Sequence, residues 1–269
     1  MTSVAAVGDN VVDIYPTLGR LFPGGNAVNV AVAARRRGLE AAYVGVVGND
    51  DAGEAVRSAL EAERVGLERL RVQDGSTAYS VIELLDGDRV FVGSDDGVSR
   101  FRLTEDDLGY LSRFDCVHTG DTSEIEDQLE VLAAAARRLS FDFSDRPLSY
   151  CEPLLDKVWL ACFSGARLSL AEAEGLAARS LAKGPAAVLV TRGPEGALLY
   201  TAAGDKVHVP SATTTPLDTL GAGDAVIGTV LAGLLQDETP ERIMEDAMAE
   251  AARVCAGYGA FGYGRAVRG

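Results

Sequence analysis

The sequence has few of the residues that build metal centres or disulfide frameworks. Among 269 residues there are two histidines, His118 and His208, and four cysteines without CxxC spacing. This scarcity disfavours a histidine-rich metal centre, a zinc site and a disulfide scaffold, so we expect free thiols in a reducing cytosol. We interpret His118, at the end of an expected strand, as a structural residue.

Positive charge and long apolar runs are also scarce. Lysine and arginine total 25 against 40 aspartates and glutamates, which gives a formal net charge of −15. Such a field repels polyanions, so we expect neither nucleic acids nor anionic membranes as partners. The opening run has no basic region and is interrupted by Asp9, and no apolar stretch reaches the length of a membrane span. The expected location is the cytoplasm.

Strand and helix patterns alternate along the first part of the chain. Apolar runs predict strands at 4–8 and 41–47, and helical spacing predicts helices at 29–37 and 52–62. This alternation is typical of a parallel sheet covered by helices. A hydrophobic content of 47% over 269 residues suffices for one large core of this kind.

The alternation then breaks at two strand patterns with no helix between them. Residues 77–85 and 89–93 are rich in valine, isoleucine and tyrosine, and Asp86, Gly87 and Asp88 join them. Asp-Gly between two such runs predicts an antiparallel hairpin that projects from the main sheet. Strands at 11–15 and 18–22 are candidates for the same small unit.

Helical and strand patterns resume in the C-terminal half. The elements expected there are a helix at 127–139, a strand at 140–143, a helix at 171–181, strands at 186–191 and 196–200, and helices at 222–235 and 240–258. The prediction is one α/β core, residues 1–10, 24–74 and 99–269, with an inserted β lid, residues 11–23 and 75–98. The lid is expected to cover a substrate site.

The segment from Asp218 to Asp224, DTLGAGD, stands at the start of an apolar helix. Gly221, Ala222 and Gly223 allow backbone N–H groups to approach a ligand where the positive end of the helix dipole lies. Such a place binds phosphate or stabilises developing negative charge. A carboxylate beside it suits phosphoryl transfer to a hydroxyl, with Asp224 as the base. The alternative is that Asp224 only complements the helix dipole.

Two familiar phosphate loops are excluded by the same residues. A Walker A loop requires a lysine after its last glycine, and no lysine follows Gly223. A dinucleotide-binding GxGxxG requires a third glycine where Val226 stands, which disfavours a Rossmann dehydrogenase.

A second glycine-containing segment, PGGNAVNVAVAA, opens the helix near the N-terminus. Its glycines can bend the backbone around a ligand, and its asparagines and the neighbouring aspartates can bind hydroxyls. The alternatives are a turn with an asparagine helix cap, and solvated aspartates. The candidate substrate ligands are Asp9, Asp13, Gly24, Gly25, Asn26 and Asn29.

Together these segments resemble the signatures of the PfkB, or ribokinase-like, family of carbohydrate kinases. GGNAVNVAVAARRRG resembles the N-terminal signature and DTLGAGDAVIG the C-terminal one, while VVGNDDAG and VTRGPEG resemble the family's VGxDxxG segment and nucleotide loop. The resemblance implies a three-layer α/β/α fold with a mostly parallel central sheet, and the hairpin stands where the family has its substrate lid.

The resemblance also implies an ATP- and Mg²⁺-dependent sugar kinase with Asp224 as the base. The expected nucleotide-binding residues are Thr191, Gly193, Gly196, Asp218 and Thr219. A monovalent-cation requirement and a homodimer formed through the lid are open possibilities. The alternative from another class is a non-catalytic sugar or nucleotide sensor, which the intact Asp224 disfavours.

Within the family, GDNVVDIYP, DRVF and FDFSD resemble the kinases that phosphorylate O6 of fructosamines such as fructoselysine. Asp95 and Asp96 would face the ammonium groups of this acceptor, and Arg89 its carboxylate. The alternative acceptors are a plain ketose, a keto-deoxy sugar acid and a nucleoside. The alternative for the three charged residues is solvation at the tip of the lid.

The chain departs from the family pattern in one respect. The Asn-x-x-Glu motif associated with the metal and phosphates is missing from the corresponding stretch, WLACFSGAR. Glu172 is a possible substitute that the sequence does not assign. The magnesium ligands are therefore left unnamed, with phosphate oxygens and water expected to supply most of them.

Overall fold

The computed structural model of the protein describes residues 2–85, 88–212 and 215–267. The described strands are β1 (Ser3–Val7), β2 (Val11–Tyr15), β3 (Arg20–Gly24), β4 (Glu40–Gly48), β5 (Gly66–Gln73), β6 (Tyr79–Leu85), β7 (Asp88–Asp95), β8 (Cys116–Gly120), β9 (Leu139–Asp142), β10 (Leu160–Ser164), β11 (Ala187–Thr191), β12 (Ala197–Thr201), β13 (Lys206–Val209) and β14 (Arg265–Ala266). The helices are α1 (Asn26–Arg36), α2 (Asp51–Ala62), α3 (Glu105–Leu111), α4 (Leu129–Ala135), α5 (Leu148–Cys151), α6 (Leu170–Leu181), α7 (Ala222–Leu235) and α8 (Pro240–Cys255).

The main sheet has nine strands in the order β13-β12-β11-β10-β9-β8-β1-β4-β5. Its strands run parallel from β11 to β5, and only β12 and β13 are antiparallel to their neighbours. The prediction of a mostly parallel central sheet is confirmed. In such a sheet the carboxyl ends of the strands, and the loops that follow them, lie along one edge.

Helices cover both faces of this sheet. In β1, Val4 and Ala6 pack into the apolar cluster that holds residues of α1, α7 and α8, while Ala5 and Val7 pack into the cluster of α3, α4 and α6. Successive side chains of a strand point to opposite faces, so each strand supplies both clusters. This arrangement confirms the three-layer α/β/α fold.

A separate five-stranded sheet has the order β14-β3-β2-β6-β7. It contains the predicted antiparallel hairpin of β6 and β7, and it also contains β2 and β3. Tyr15 and Phe22 of this sheet form an aromatic cluster with Tyr258, which follows α8. The strand β14, which the sequence patterns did not predict, pairs with β3. The predicted turn residues Asp86 and Gly87 lie outside the described residues.

Two other expectations need correction. The helix predicted at 127–139 occupies only Leu129–Ala135, because Leu139 and its successors pair with β8 and β10. Strand pairing here overrides the helix propensity of the residues that follow the alanine run. The strand β5 was missed because it forms the polar, half-exposed edge of the sheet and carries no apolar run.

The described residues also bear on two predictions from composition. The four cysteines are free and buried. In the described part of the chain, no helix combines the length and the hydropathy that a membrane crossing requires.

Candidate active site

A group of carboxylates lies at the carboxyl edge of the main sheet. Asp9 follows β1, Asp121 follows β8 and Asp142 ends β9, and these three strands are adjacent and parallel. Asp224 joins them from the first turn of α7, through side-chain contacts with α1. Four segments that are distant in the sequence therefore converge on one place.

Asp224 is held by two amides of α1. Asn26 Nδ2 donates to Asp224 Oδ1 at 2.8 Å, and Asn29 Nδ2 donates to Asp224 Oδ2 at 2.7 Å. Burial raises the pKa of Asp224 to about 6, the carboxylate of Asp9 adds to this rise, and the two amides oppose it. The carboxylate is thus fixed in orientation and has a pKa close to neutral, as a general base requires.

The start of α7 is open to a ligand. Gly221 is the N-cap with φ 73°, and a Cβ there would lie 2.2 Å from Ala260 Cβ, so only glycine fits. No side chain caps this end, and the first N–H groups of a helix have no partner within the helix. A Cβ built at Gly223 would meet no heavy atom within 4 Å. The end of the helix next to Asp224 can therefore accept an anion.

Asp142 is a member of this group that the sequence analysis did not assign. Asn26 Nδ2 donates to Asp142 Oδ2 at 2.9 Å, and the Ser144 N–H donates to Asp142 Oδ1 at 2.9 Å. Burial raises the pKa of Asp142 to about 8, with further increases from the carboxylates of Asp224, Asp121 and Asp9. The signal in the sequence was an aspartate that directly follows the buried residues of β9.

Asp9 lies at this edge of the sheet and also has a structural role. Its carboxylate accepts hydrogen bonds from the N–H groups of Asn26 and Ala27, at 2.8 and 3.3 Å, and from Ser123 Oγ at 3.0 Å. It therefore caps α1, whose N-cap Gly25 has φ 108°. Burial raises the pKa of Asp9, and these hydrogen bonds oppose that effect. A direct contact between Asp9 and a substrate stays a prediction.

Asp13 and Gly24 lie on adjacent strands of the smaller sheet. Asp13, in the middle of β2, is only 4% exposed. A Cβ at Gly24 would lie 2.6 Å from Asp13 Oδ2, so the bare Cα of Gly24 makes room for this carboxylate. The structure brings these two predicted residues together, and their role toward a substrate stays a prediction.

The predicted nucleotide-binding residues fall into two places. Thr191 ends β11, and Gly193 and Gly196 flank the short turn before β12, with φ 55° and 90°. Asp218 accepts hydrogen bonds from Tyr15 Oη at 2.6 Å and from the Gly259 N–H at 3.0 Å. Asp218 therefore connects the loop before α7 to the smaller sheet. Thr219 beside it is exposed.

In the described ranges of the chain, the donor set offers no ready site for a metal ion. Among the described residues, no group of three or more histidine, cysteine, aspartate or glutamate side chains has a metal-binding arrangement. Glu172, the possible substitute for the missing motif, accepts hydrogen bonds from the N–H and hydroxyl of Ser169, at 2.8 and 2.7 Å. It forms the capping box of α6 and is committed to that helix.

The model of the pfkB family of carbohydrate kinases matches residues 3–262. The chain belongs to this family. Its four signature-like segments are thus part of a match that spans nearly the whole sequence, and the prediction of a sugar phosphotransferase is confirmed.

Members of the pfkB family with named acceptors are among the similar proteins. The chain is 40% identical to fructosamine kinase FrlD of Bacillus subtilis, over 96% of this chain and 93% of that one. It is 34% identical to fructoselysine 6-kinase of Escherichia coli, over 97% of this chain and all of that one. Ribokinase of Arabidopsis thaliana, solved with ribose and ATP, has a TM-score of 0.82 at 20% identity, over 97% of this chain and 94% of that one. This last likeness confirms the ribokinase-like fold.

The pKa of Asp224 leads to a prediction for the pH dependence of activity. A general base must be deprotonated, so kcat/KM should rise with pH through about 6 and then level off. Steady-state kinetics from pH 5 to 8 would measure this rise, which is the acid limb of the pH profile. In Asp142→Asn the limb should stay in place, because the pKa of Asp142, about 8, leaves that group protonated at pH 6. A rate that does not change between pH 5 and 7 would contradict the assignment of the base.

Proposed function

We propose that the protein transfers the γ-phosphoryl group of MgATP to O6 of a fructosamine such as fructoselysine. The observation that carries the proposal is the Asp224 carboxylate, held by Asn26 and Asn29 next to the uncapped start of α7. The names of the similar kinases, which are 34–40% identical over almost the whole chain, support the choice of acceptor.

In this proposal, Asp224 removes the proton from the primary hydroxyl as the hydroxyl oxygen attacks the γ-phosphorus in line. The bond from the γ-phosphorus to the bridging oxygen breaks, and ADP leaves with that oxygen. The N–H groups around Gly221, Ala222 and Gly223 stabilise the charge on the group in transfer. The smaller sheet acts as a lid that keeps water out of the site, since water would otherwise accept the phosphoryl group. A homodimer formed through this lid stays a prediction.

The nucleotide would lie along the carboxyl edge between α7 and the turn after β11. Thr191, Gly193 and Gly196 belong to this turn, and Asp218 and Thr219 precede α7. The described donor set does not form a metal site, so phosphate oxygens and water would supply most magnesium ligands.

The sugar of the acceptor would lie between α1 and the lid. Asn29 Oδ1 is buried and has no hydrogen-bond partner among the described residues, so it can accept a hydrogen bond from a substrate hydroxyl. Asp13 and Gly24 are on the lid side, and Gly25 and Asn26 on the side of α1. These positions agree with contacts to vicinal hydroxyls close to Asp224.

The amino-acid part of a fructosamine would lie beside Asp9. A cleft of about 20 Å³ there is lined by Asp9, Asp96, Ser99, Arg100, Thr122, Ser123 and Glu124. This volume holds about one water molecule, so binding of an amino-acid group requires these side chains to move apart. Arg100 lies between two carboxylates: its Nη2 donates to Asp96 Oδ2 at 2.6 Å, and it forms an ion pair with Glu124. Such alternating charges suit the carboxylate and ammonium groups of an amino acid.

The residues of this cleft differ in part from those that the sequence suggested for recognition of the amino-acid part of the substrate. The sequence analysis assigned the substrate carboxylate to Arg89, whose side chain lies outside the described part of the chain. Arg100, in the segment after the lid, now takes that role, and Asp96 keeps its role toward the ammonium. Asp95 accepts a hydrogen bond from the Gly97 N–H at 2.7 Å and thereby shapes the same loop.

A comparison of acceptors tests the proposal. The kcat/KM for fructoselysine should exceed that for fructose, ribose or a keto-deoxy sugar acid by at least about tenfold, since the remote part of the substrate contributes binding energy. Arg100→Gln should lower kcat/KM for fructoselysine about tenfold and leave that for fructose unchanged. Arg102→Gln, a control at an exposed arginine that pairs with Asp127, should change neither value.

The possible outcomes separate the two parts of the proposal. Turnover of a plain sugar that equals or exceeds turnover of fructoselysine would reject the fructosamine acceptor and leave the kinase activity in place. An equal loss with fructoselysine and fructose in Arg100→Gln would reject the role of the cleft alone.

A further inference from the structure

His118 lies under the active site without touching Asp224. It is fully buried in β8, with Nδ1 3.0 Å from Ser140 Oγ and Nε2 3.1 Å from Asn26 Oδ1. Asn26 uses its Nδ2 group for the carboxylates of Asp224 and Asp142, at 2.8 and 2.9 Å. Its Oδ1 is left as an acceptor toward the ring, so the proton of His118 belongs on Nε2.

The opposite orientation of this amide is unfavourable. If the amide of Asn26 rotated by half a turn, its oxygen would face two carboxyl groups and its NH₂ group would face the N–H of His118. The hydrogen bonds of the amide to Asp224 and to His118 would then be lost in a buried place. The carboxylate of Asp224 and an Nε2–H of His118 therefore favour the same orientation of the amide, the one in which Asn26 donates to Asp224.

The backbone of β8 leaves space for this contact. Gly120 is two residues after His118, so the two positions share one face of the strand. A Cβ at Gly120 would lie 2.8 Å from Asn26 Oδ1 and 3.2 Å from Asp142 Cβ. Only glycine therefore lets the amide of Asn26 approach the strand closely enough to reach the ring.

We propose that His118 is a positioning residue for the base Asp224, acting through the amide of Asn26. This role rests on the proposed function of Asp224. By fixing Asn26, His118 keeps one of the two hydrogen bonds that favour the ionised form of Asp224. A base that loses such a donor holds its proton up to a higher pH.

The charges around Asp224 make this donor important. The carboxyl groups of Asp9 and Asp142 face the site, and Asp121 faces Asp142 from the turn after β8, where it is paired with Arg146. The amides of Asn26 and Asn29 donate hydrogen bonds to Asp224 that oppose the effects of burial and of the charge of Asp9 on its pKa. His118 itself stays neutral, because burial lowers its pKa to about 3.

The first test is the protonation state of the ring in the unliganded protein. Long-range ¹H–¹⁵N spectra need to distinguish only two histidines, and His208→Gln assigns the other one. We expect His118 to be neutral with its proton on Nε2 throughout pH 5–8. A proton on Nδ1, or a cationic ring, would overturn the proposal whatever the activity of the protein.

The second test compares three variants with the acceptor that the wild type uses best. In His118→Leu the acid limb of kcat should move up by about half to one pH unit. The rate at pH 5.5 should then fall about three- to tenfold, and the rate at pH 8 and the KM for ATP should change little. In His118→Gln the limb should stay near its wild-type position, since a glutamine NH₂ can reach the oxygen of Asn26.

The matched control is Thr119→Val on the same strand. Thr119 is fully buried, its Oγ1 has no partner among the described residues, and valine has nearly the same shape. The acid limb should not move in this variant. An unmoved limb in a folded His118→Leu protein, or the same upward shift in His118→Gln, would contradict the positioning role. If the wild type turned over no acceptor, the proposed function would be rejected. The spectra of the ring would still show whether His118 donates to Asn26.

Discussion

Replacing Asp224 with asparagine is expected to lower kcat by about 10²–10⁴, the usual contribution of a general base. The change removes the proton acceptor and keeps the size of the side chain. Asn26 and Asn29 both donate to this residue, so the new amide can accept only one of the two hydrogen bonds well. The fold should persist, because the buried apolar residues of α7, from Ala225 onward, keep their packing.

Steady-state kinetics with circular dichroism on the same preparation would measure this effect. Asp106→Asn is the matched control, since this aspartate is 84% exposed and lies outside the site. The control should keep wild-type kcat. Near-wild-type turnover in a folded Asp224→Asn protein would falsify the assignment of the base.

Replacing Gly223 with valine is expected to lower kcat by about 10²–10³, as does the loss of one donor that stabilises a transition state. A Cβ at this position meets no protein atom within 4 Å, and the residue has helical backbone angles. The β-branched side chain should therefore fit the free protein and obstruct only an approaching phosphate. The KM for ATP should rise less than kcat falls, if the loop acts mainly on the transition state.

Gly109→Val is the matched control for this change. Gly109 is an exposed glycine inside α3, and a Cβ there also meets nothing within 4 Å. This control should have a similarly small effect on helix stability and no effect on kcat. If Gly223→Val instead raised the KM for ATP and left kcat unchanged, that result would mean that the loop binds the ground state and the transition state equally well.

The sequence predicted the parts of the site that depend on local structure. The glycines at the start of α7 and the carboxylate of Asp224 belong to one turn, so their spacing alone predicted an anion site beside a base. The parallel sheet followed from the alternation of elements. The edge strand β5 could not be predicted in this way, since apolar and polar residues alternate only weakly along this half-exposed strand.

The contacts between distant segments were not predictable in the same way. Asn26 is 92 residues from His118 and 116 residues from Asp142 along the sequence. Only the folded sheet brings these strand ends together. No local pattern distinguishes a histidine that orients an amide from one that merely fills the core. The interpretation of His118 as structural was therefore the expected one from sequence.

Residues that were identified by their motifs also have structural roles. Asp9 was predicted to bind substrate, and its carboxylate caps α1. Asp218 was predicted to bind the nucleotide, and it holds Tyr15 and Gly259. A motif fixes which residue type stands at a position, but the donors that reach its side chain are set by tertiary packing.

The most direct test of the account is the fate of the phosphoryl group. The purified protein would be mixed with MgATP and fructoselysine, and the products followed by ³¹P NMR and mass spectrometry. We predict equimolar ADP and a monophosphate on O6 of the acceptor, formed by the wild type and not measurably by Asp224→Asn over the same time. ATP hydrolysis without a phosphorylated acceptor, or a phosphate on another oxygen, would contradict the account.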